Sequence, residues 1–165
     1  MPQFGNFDLK TIAENDLYVC LNWKDVSNDL LFGPHQISDG SLRFMALASL
    51  LLQPPTILPE TIVLDEPELG LDPAAIAELA GMIRTASKNA RIVVATQSTR
   101  LVDELNVGEI VVVEHDEIRN CSVFKRLNET ELEDWLSRYS LSELWEKNVL
   151  GGRHLNTIKL LQEFR

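Results

Sequence analysis

The sequence predicts an α/β fold: a mostly parallel sheet flanked by helices, with a small helical appendage at the C-terminal end. Three observations predict it. A short apolar run, Thr61-Ile-Val-Leu, leads into two adjacent carboxylates, Asp65 and Glu66, and stops at Pro67. A run this short and apolar reads as a strand buried on both faces, and ligands of open α/β sheets sit at the carboxyl ends of such strands. From there strand and helix patterns alternate, with short loops, as far as Glu114; that order implies right-handed crossovers and a parallel sheet. From Asn128 the texture changes to short helices, so the expected division is a core over residues 1–127 and an appendage over 128–165.

The elements follow in order. Asp8 to Ala13 and Leu17 to Trp23, separated by Glu14-Asn15-Asp16, read as a hairpin, because Leu17, Val19, Leu21 and Trp23 alternate. Lys24 to Gln36 is loop-like, punctuated by Gly33-Pro34. Ser38 to Leu52 is a helix apolar almost all the way round, which is expected to be buried by its neighbours, and Gln53-Pro54-Pro55 ends it. After the Thr61–Asp65 strand, Asp72 as N-cap and Pro73 at the first helical position open a helix. Its stripe of Ile76, Leu79, Ala80 and Ile83 has helical spacing. Arg91 to Ala95 is a second buried strand, Ser98 caps a short helix carrying Leu101, Val102 and Leu105, and Glu109 to Glu114 is a further strand. Ile118 to Leu127 alternates and is expected to add an antiparallel edge to it. In the appendage, Ser140 with Glu143 fits a capping box, with Leu141, Leu144 and Trp145 as its apolar face. Gly151-Gly152 breaks the chain before a last amphipathic segment with Leu155, Ile158, Leu161 and Phe164.

Composition narrows the function classes. A chain of 165 residues can bury a substantial core in one domain. With 25 acidic against 15 basic side chains the formal charge is −10, which repels a phosphate backbone and disfavours stand-alone nucleic-acid binding. No uninterrupted apolar stretch is long enough for a membrane helix, and Met1-Pro-Gln-Phe-Gly-Asn lacks a signal-peptide pattern. A cytoplasmic chain with no membrane partner is the expectation. Cys20 and Cys121 lie among apolar residues without metal-ligand spacing and are expected to pack in the core, and His35, His115 and His154 are scattered. No G-x-x-x-x-G-K-[ST] phosphate loop occurs anywhere in the chain.

The candidate chemistry is concentrated in two places. Of two carboxylates side by side at a strand end, one can hold Mg²⁺ through its water shell while the other polarises an attacking water. Ser38 and Gly40 open a helix, where free N–H groups, the dipole and a hydroxyl together suit an anion. Ser38 serves as an N-cap there whether or not an anion binds, and Arg43, one turn on, suits either a phosphate or a carboxylate.

Three motifs in order resemble the C-terminal half of the nucleotide-binding head of ABC-type ATPases, most closely the RecF/SMC-like branch. Gln36-Ile37-Ser38-Asp39-Gly40-Ser41-Leu42-Arg43 resembles the signature motif, Ile62-Val-Leu-Asp65-Glu66-Pro67 the Walker B strand, and Leu71-Asp72-Pro73 the D-loop. The resemblance runs from about Leu17 to Gly152 and implies a P-loop NTPase-like fold that uses ATP and Mg²⁺. By it, Asp65 is the metal-holding residue and Glu66 the catalytic carboxylate. Ser38 and Gly40 bind the γ-phosphate of ATP held by the opposite subunit of a dimer, and Asp72 reaches across that dimer, a role that stands beside its N-cap role. Gln97 stands where many members carry a switch histidine. An amide there can donate to a phosphate or hold the water, but cannot transfer a proton.

The family's phosphate loop, or Walker A half, is expected upstream of Met1 or on a partner chain, so the isolated chain is expected to be inactive. The resemblance also implies homodimerisation through the signature face, and DNA as a partner, which the net charge does not support. The alternative is a non-catalytic dimerisation or partner-binding module that retains the fold.

Overall fold

In the computed structural model, residues 4–12, 15–26 and 30–152 are described. They fall into two compact units, the first ending at Ala95 and the second beginning at Thr96.

The first unit opens with the expected hairpin. Strands β1 (Phe4–Ile12) and β2 (Asn15–Asp25) pair antiparallel, with Phe7 opposite Trp23 and Leu9 opposite Leu21, and β3 (Leu31–Phe32) adds a short third strand. Period-2 alternation puts Phe7, Leu9, Val19, Leu21 and Trp23 on one face. Trp23 is buried there, with Phe7 edge-on to it at 6.1 Å between ring centroids, while Leu9 and Val19 remain exposed. Helix α1 (Asp39–Leu51) follows, capped by Ser38.

Strands β4 (Thr61–Asp65) and β5 (Arg91–Ala95) are parallel and joined through helix α2 (Pro73–Ala86), in register from Thr61 opposite Arg91 to Asp65 opposite Ala95. The predicted stripe of α2 is the buried one: Ile76, Leu79, Ala80 and Ile83 all face inward. Ile62 and Leu64 meet Leu79 and Ile83 of α2 and Leu51 of α1 in one apolar cluster. Each such side chain contributes about 1.5–3 kcal/mol by leaving water.

Two expectations fail here. Strand β4 is buried on one face only: Ile62 and Leu64 point into the cluster, whereas Val63 is 70% exposed, and Val93 beside it on β5 is 49% exposed. Nor is α1 enclosed. Only Ser41 and Leu51 are fully buried, and Arg43, Ala46 and Ser49 lie open. The reason is the same in both cases. Among the described residues of this unit, helices cover one face of the β4–β5 pair, and an apolar pattern records what a face suits, not whether a partner is present.

In the second unit Ser98 caps α3 (Thr99–Asp103), accepting from the Leu101 N–H at 3.3 Å, and buries Leu101 and Val102. Strands β6 (Val111–Asp116) and β7 (Cys121–Arg126) form the expected antiparallel pair. However, β6 makes no hydrogen-bonded ladder with β5, so the parallel sheet among the described residues has two strands instead of three. The strand boundaries also shift: β6 begins and ends two residues later than expected, and β7 is shorter at both ends. A 3₁₀ turn takes Val107–Glu109, with the Glu109 carboxylate accepting from the Asn106 N–H, and Asp116 accepts from the N–H groups of Ile118 and Arg119 to make the turn before β7. Ile118 is therefore turn rather than strand. Strand β7 is exposed along its whole length, which corrects the core assignment of Cys121; Cys20 is half-buried.

Helices α4 (Glu129–Leu136) and α5 (Leu141–Glu146) complete this unit. The capping box forms as predicted: the Ser140 N–H donates to Glu143 at 2.8 Å, and the Glu143 N–H donates to Ser140 Oγ at 3.2 Å. Leu141 and Leu144 pack with Val102, Val107, Leu127 and Leu150 in a second cluster. The segment from Leu155 to Phe164, and His154, lie outside the described residues. No described helix is long and apolar enough to cross a membrane.

Candidate functional site

The first turn of α1 is built by hydroxyls. Ser38 accepts from the Ser41 N–H at 3.2 Å, its Oγ lies 2.8 Å from Ser41 Oγ, and its carbonyl accepts from the Leu42 N–H at 3.0 Å. Helix geometry leaves the N–H groups of Asp39 and Gly40 without intrahelical partners, at the positive end of the dipole. Ser38 Oγ can accept from Ser41 Oγ–H and keep its own proton for a ligand.

Beyond β4 the chain turns sharply. Glu66 adopts φ +43°, a left-handed conformation uncommon for a side-chain-bearing residue, and its N–H donates to the Ala95 carbonyl at 2.8 Å. Pro67 is buried, the Leu69 N–H donates to Glu66 O at 3.2 Å, and the Leu71 N–H donates to Glu68 O at 3.0 Å. Gly70, at φ +80°, lets the chain reach Asp72, whose carboxylate caps α2 by accepting from the N–H groups of Ala74 and Ala75, both at 3.0 Å. The N-cap reading of Asp72 is thus realised.

These two stretches meet. Ser38 and Gly40 on one side, with Gly70, Asp72 and Ala75 on the other, line a cleft of about 410 Å³. The approach is backbone to backbone: a Cβ on Gly40 would fall inside van der Waals contact of the Gly70 carbonyl. Gly70 was missed by motif reasoning. Its signal was a glycine inside an acidic turn, where a left-handed residue is needed to bring the chain round to a cap.

Asp65 and Glu66 stand apart from the cleft lining. Asp65 is exposed and, by alternation along β4, lies on the same open face as Val63, while Glu66 is half-buried at the turn. Gln97 is an exposed residue of the second unit, between β5 and the Ser98 cap. The structure therefore brings Ser38, Gly40 and Asp72 together, and puts Asp65 and Glu66 next to each other elsewhere in the same unit. Among the described residues no three His, Cys, Asp or Glu side chains gather as a metal cage. A lone strand-end carboxylate fits Mg²⁺ nonetheless, since this ion keeps several waters and takes one or two carboxylates together with phosphate oxygens.

Parallel strands joined through a helix, two carboxylates at a strand end and a serine-capped helix start beside the next helix's cap belong to a P-loop NTPase-like fold of the ABC ATPase class. Two solved structures share it. One is a chain from work described as "Structural biochemistry of ATP-driven dimerization and DNA stimulated activation of SMC ATPases", with a TM-score of 0.58 at 19% identity, over 79% of this chain and 80% of that one. The other is the Smc head domain bound to the C-terminal domain of ScpA from Pyrococcus furiosus, with a TM-score of 0.57 at 18% identity, over 79% of this chain and 33% of that one. The family described as "AAA domain, putative AbiEii toxin, Type IV TA system" matches residues 21–103, half of the chain, and the chain belongs to it.

Curated relatives are ATP-binding proteins of ABC systems. The energy-coupling factor transporter ATP-binding protein EcfA2 of Acetivibrio thermocellus is 34% identical over 106 residues, which are 61% of this chain and 36% of the relative. The phosphate import ATP-binding protein PstB 2 of Trichormus variabilis is 24% identical over 123 residues, 66% of this chain and 41% of the relative. The chain thus spans between a third and about two fifths of their length.

Proposed function

We propose that this chain supplies the C-terminal portion of a composite ATP site in an ABC-type ATPase, completed by a segment or partner chain that bears the phosphate loop. The observation that supports it is the segregation of the site residues. Ser38, Gly40 and Asp72 line one cleft, Asp65 and Glu66 stand outside its lining, and the one carboxylate within it, Asp72, is engaged by the Ala74 and Ala75 N–H groups that it caps. A cleft meant for phosphate keeps unpaired negative charge away from the phosphate, and the helix N–H groups offset that of Asp72, whereas metal binding and water activation need free carboxylates. One chain so arranged serves two ATP sites of a dimer, offering its α1 face to the nucleotide of a second copy and its β4 end to its own. The open β4–β5 face, with Val63 and Val93, is the apolar surface onto which the phosphate-loop segment packs.

In this reading Asp65 holds Mg²⁺ through its water shell, and the ion, when bound, neutralises phosphate charge. Glu66 orients the attacking water and takes its proton. The Gly40 N–H and the Ser38 hydroxyl donate to the γ-phosphate oxygens, each such donor being worth about 3–4 kcal/mol where charge develops. The Gln97 amide holds the water or a phosphate oxygen and transfers no proton.

The chain alone, with no G-x-x-x-x-G-K-[ST] in it, leaves the β- and γ-phosphates without their cradle. Calorimetric titration of Mg·ATP into the chain, beside Asp65→Asn and Glu66→Gln, tests this. No heat is expected at millimolar nucleotide; saturable binding abolished by Asp65→Asn would overturn the half-site account. In the completed protein, Glu66→Gln lowers phosphate release about 10²–10⁴-fold with binding retained. The extent of open apolar surface, Val63 on β4 and Phe124 on β7 both 70% exposed, favours a second reading, a docking module without hydrolysis. A completed protein that associates and binds ATP but releases no phosphate would select it.

A further inference from the structure

Two glycines touch where the cleft closes, and the contact has a direction. Gly40 lies one residue into α1, where alanine would ordinarily be the better helix former by about 1 kcal/mol. Its missing Cβ is filled by the backbone carbonyl of Gly70. Gly70 is itself held by the turn behind it: the Leu69 N–H is bonded to Glu66 O, the Leu71 N–H to Glu68 O, and Glu66 is tied to β5 through Ala95. Two residues on, Asp72 caps α2. At this contact backbone meets backbone, with no flexible side chain of either glycine to absorb a displacement before it reaches the other turn.

We infer that Gly70 is a positioning residue: through its backbone contact with Gly40, the first turn of α1 sets the conformation of the Glu66–Asp72 turn in the same chain. On the composite-site reading on which its functional meaning rests, an anion held at Ser38 and Gly40 is then felt at Glu66 and Asp72 within one chain, by packing alone. The two glycines differ in what they require. Gly40 needs the space. Gly70 needs the left-handed backbone, since a Cβ there meets only Gly40 Cα at an ordinary 3.8 Å. Asparagine, which tolerates that conformation, therefore fits at position 70, and alanine there is strained.

The test uses the chain itself, isotopically labelled, with amide resonances and amide exchange as readouts. Gly40→Ala is expected to shift the amides of Glu66 and of Leu69 to Asp72 as strongly as those of its own helical turn, and to speed exchange of the Leu69 and Leu71 amides about tenfold. Gly81→Ala is the control, being a helical glycine with nothing within 4 Å of an added Cβ, and it leaves residues 66–72 unmoved. The reciprocal variant Gly70→Ala shifts the Gly40 and Ser41 amides, and Gly70→Asn restores them.

Changes confined to α1 in Gly40→Ala would overturn the inference. So would silence at Gly40 and Ser41 in Gly70→Ala, which also decides the matter if Gly40→Ala does not fold. In the completed ATPase, Gly70→Ala lowers kcat with KM for ATP unchanged and Gly70→Asn recovers it. Absence of any wild-type hydrolysis would count against the composite-site reading, while the amide measurements would still decide the coupling.

Discussion

Replacing Glu66 by glycine is expected to make the protein more stable while removing the carboxylate proposed to act on water. Glu66 sits at φ +43°, and the left-handed region costs a side-chain-bearing residue about 1–2 kcal/mol. Glycine is free of that cost but loses about 0.5–1 kcal/mol more chain entropy on folding. The net gain over a residue with a Cβ is therefore between about 0 and 1.5 kcal/mol, about 0.7 kcal/mol at mid-range. The right comparison is Glu66→Ala, because both variants delete the carboxylate and both keep the N–H donated to Ala95, so that their difference isolates the backbone. Urea unfolding of the two variants, followed by a probe of the first unit, reads that difference directly. A Glu66→Gly protein no more stable than Glu66→Ala would refute the claim that strain is stored at this residue. If the gain is found, a strained carboxylate is being kept at the end of β4 against stability, which is the signature of a site held for chemistry.

Asp72→Ala loses two capping bonds and is expected to cost about 1 kcal/mol, whereas Asp72→Asn keeps the cap and should unfold within a few tenths of a kcal/mol of the parent. A fall in ATP hydrolysis by the completed protein in Asp72→Asn at unchanged stability would separate a role across the dimer from the cap. On β4, Ile62→Ala is expected to cost about 2–4 kcal/mol in thermal or urea unfolding, and Val63→Thr, one residue away but on the open face, less than about 0.5 kcal/mol. In the completed protein, sedimentation of Val63→Lys should show loss of association with the phosphate-loop segment; a Val63→Lys protein that still associates would exclude that face as the docking surface.

What was legible in the residues was whatever depends on local chemistry. Asp72 with Pro73, Ser98, and Ser140 with Glu143 announce helix starts because a side-chain oxygen near orphan N–H groups is a short-range fact, and all three caps form. The stripe of α2 was equally readable from its spacing, and the order of three stretches resembling signature, Walker B and D-loop motifs pointed to the ABC class. What was not legible depends on neighbours. Thr61-Ile-Val-Leu has the same composition whether one face of the strand is covered or two, so Val63 read as core. The Glu109–Glu114 pattern likewise says strand without fixing its ends, which fall at Val111 and Asp116 because Val107–Glu109 first makes a 3₁₀ turn.

The burial errors share a sign. Each overestimated enclosure, at Val63, along α1 and at Cys121. A sequence selected to fold alone places exposed apolar side chains singly, but here β4 and β5 carry them side by side on one face, where an isolated chain gains nothing from β-branched valine over threonine. The residues on that face are therefore best explained by a surface they bury in a larger protein. Because Asp65 ends the same face, whatever covers Val63 and Val93 also brings its own groups beside the carboxylate proposed to hold Mg²⁺. On the composite-site proposal, docking and assembly of the ATP site are one event, and an exposed valine is as much a part of the proposed site as the aspartate two residues beyond it.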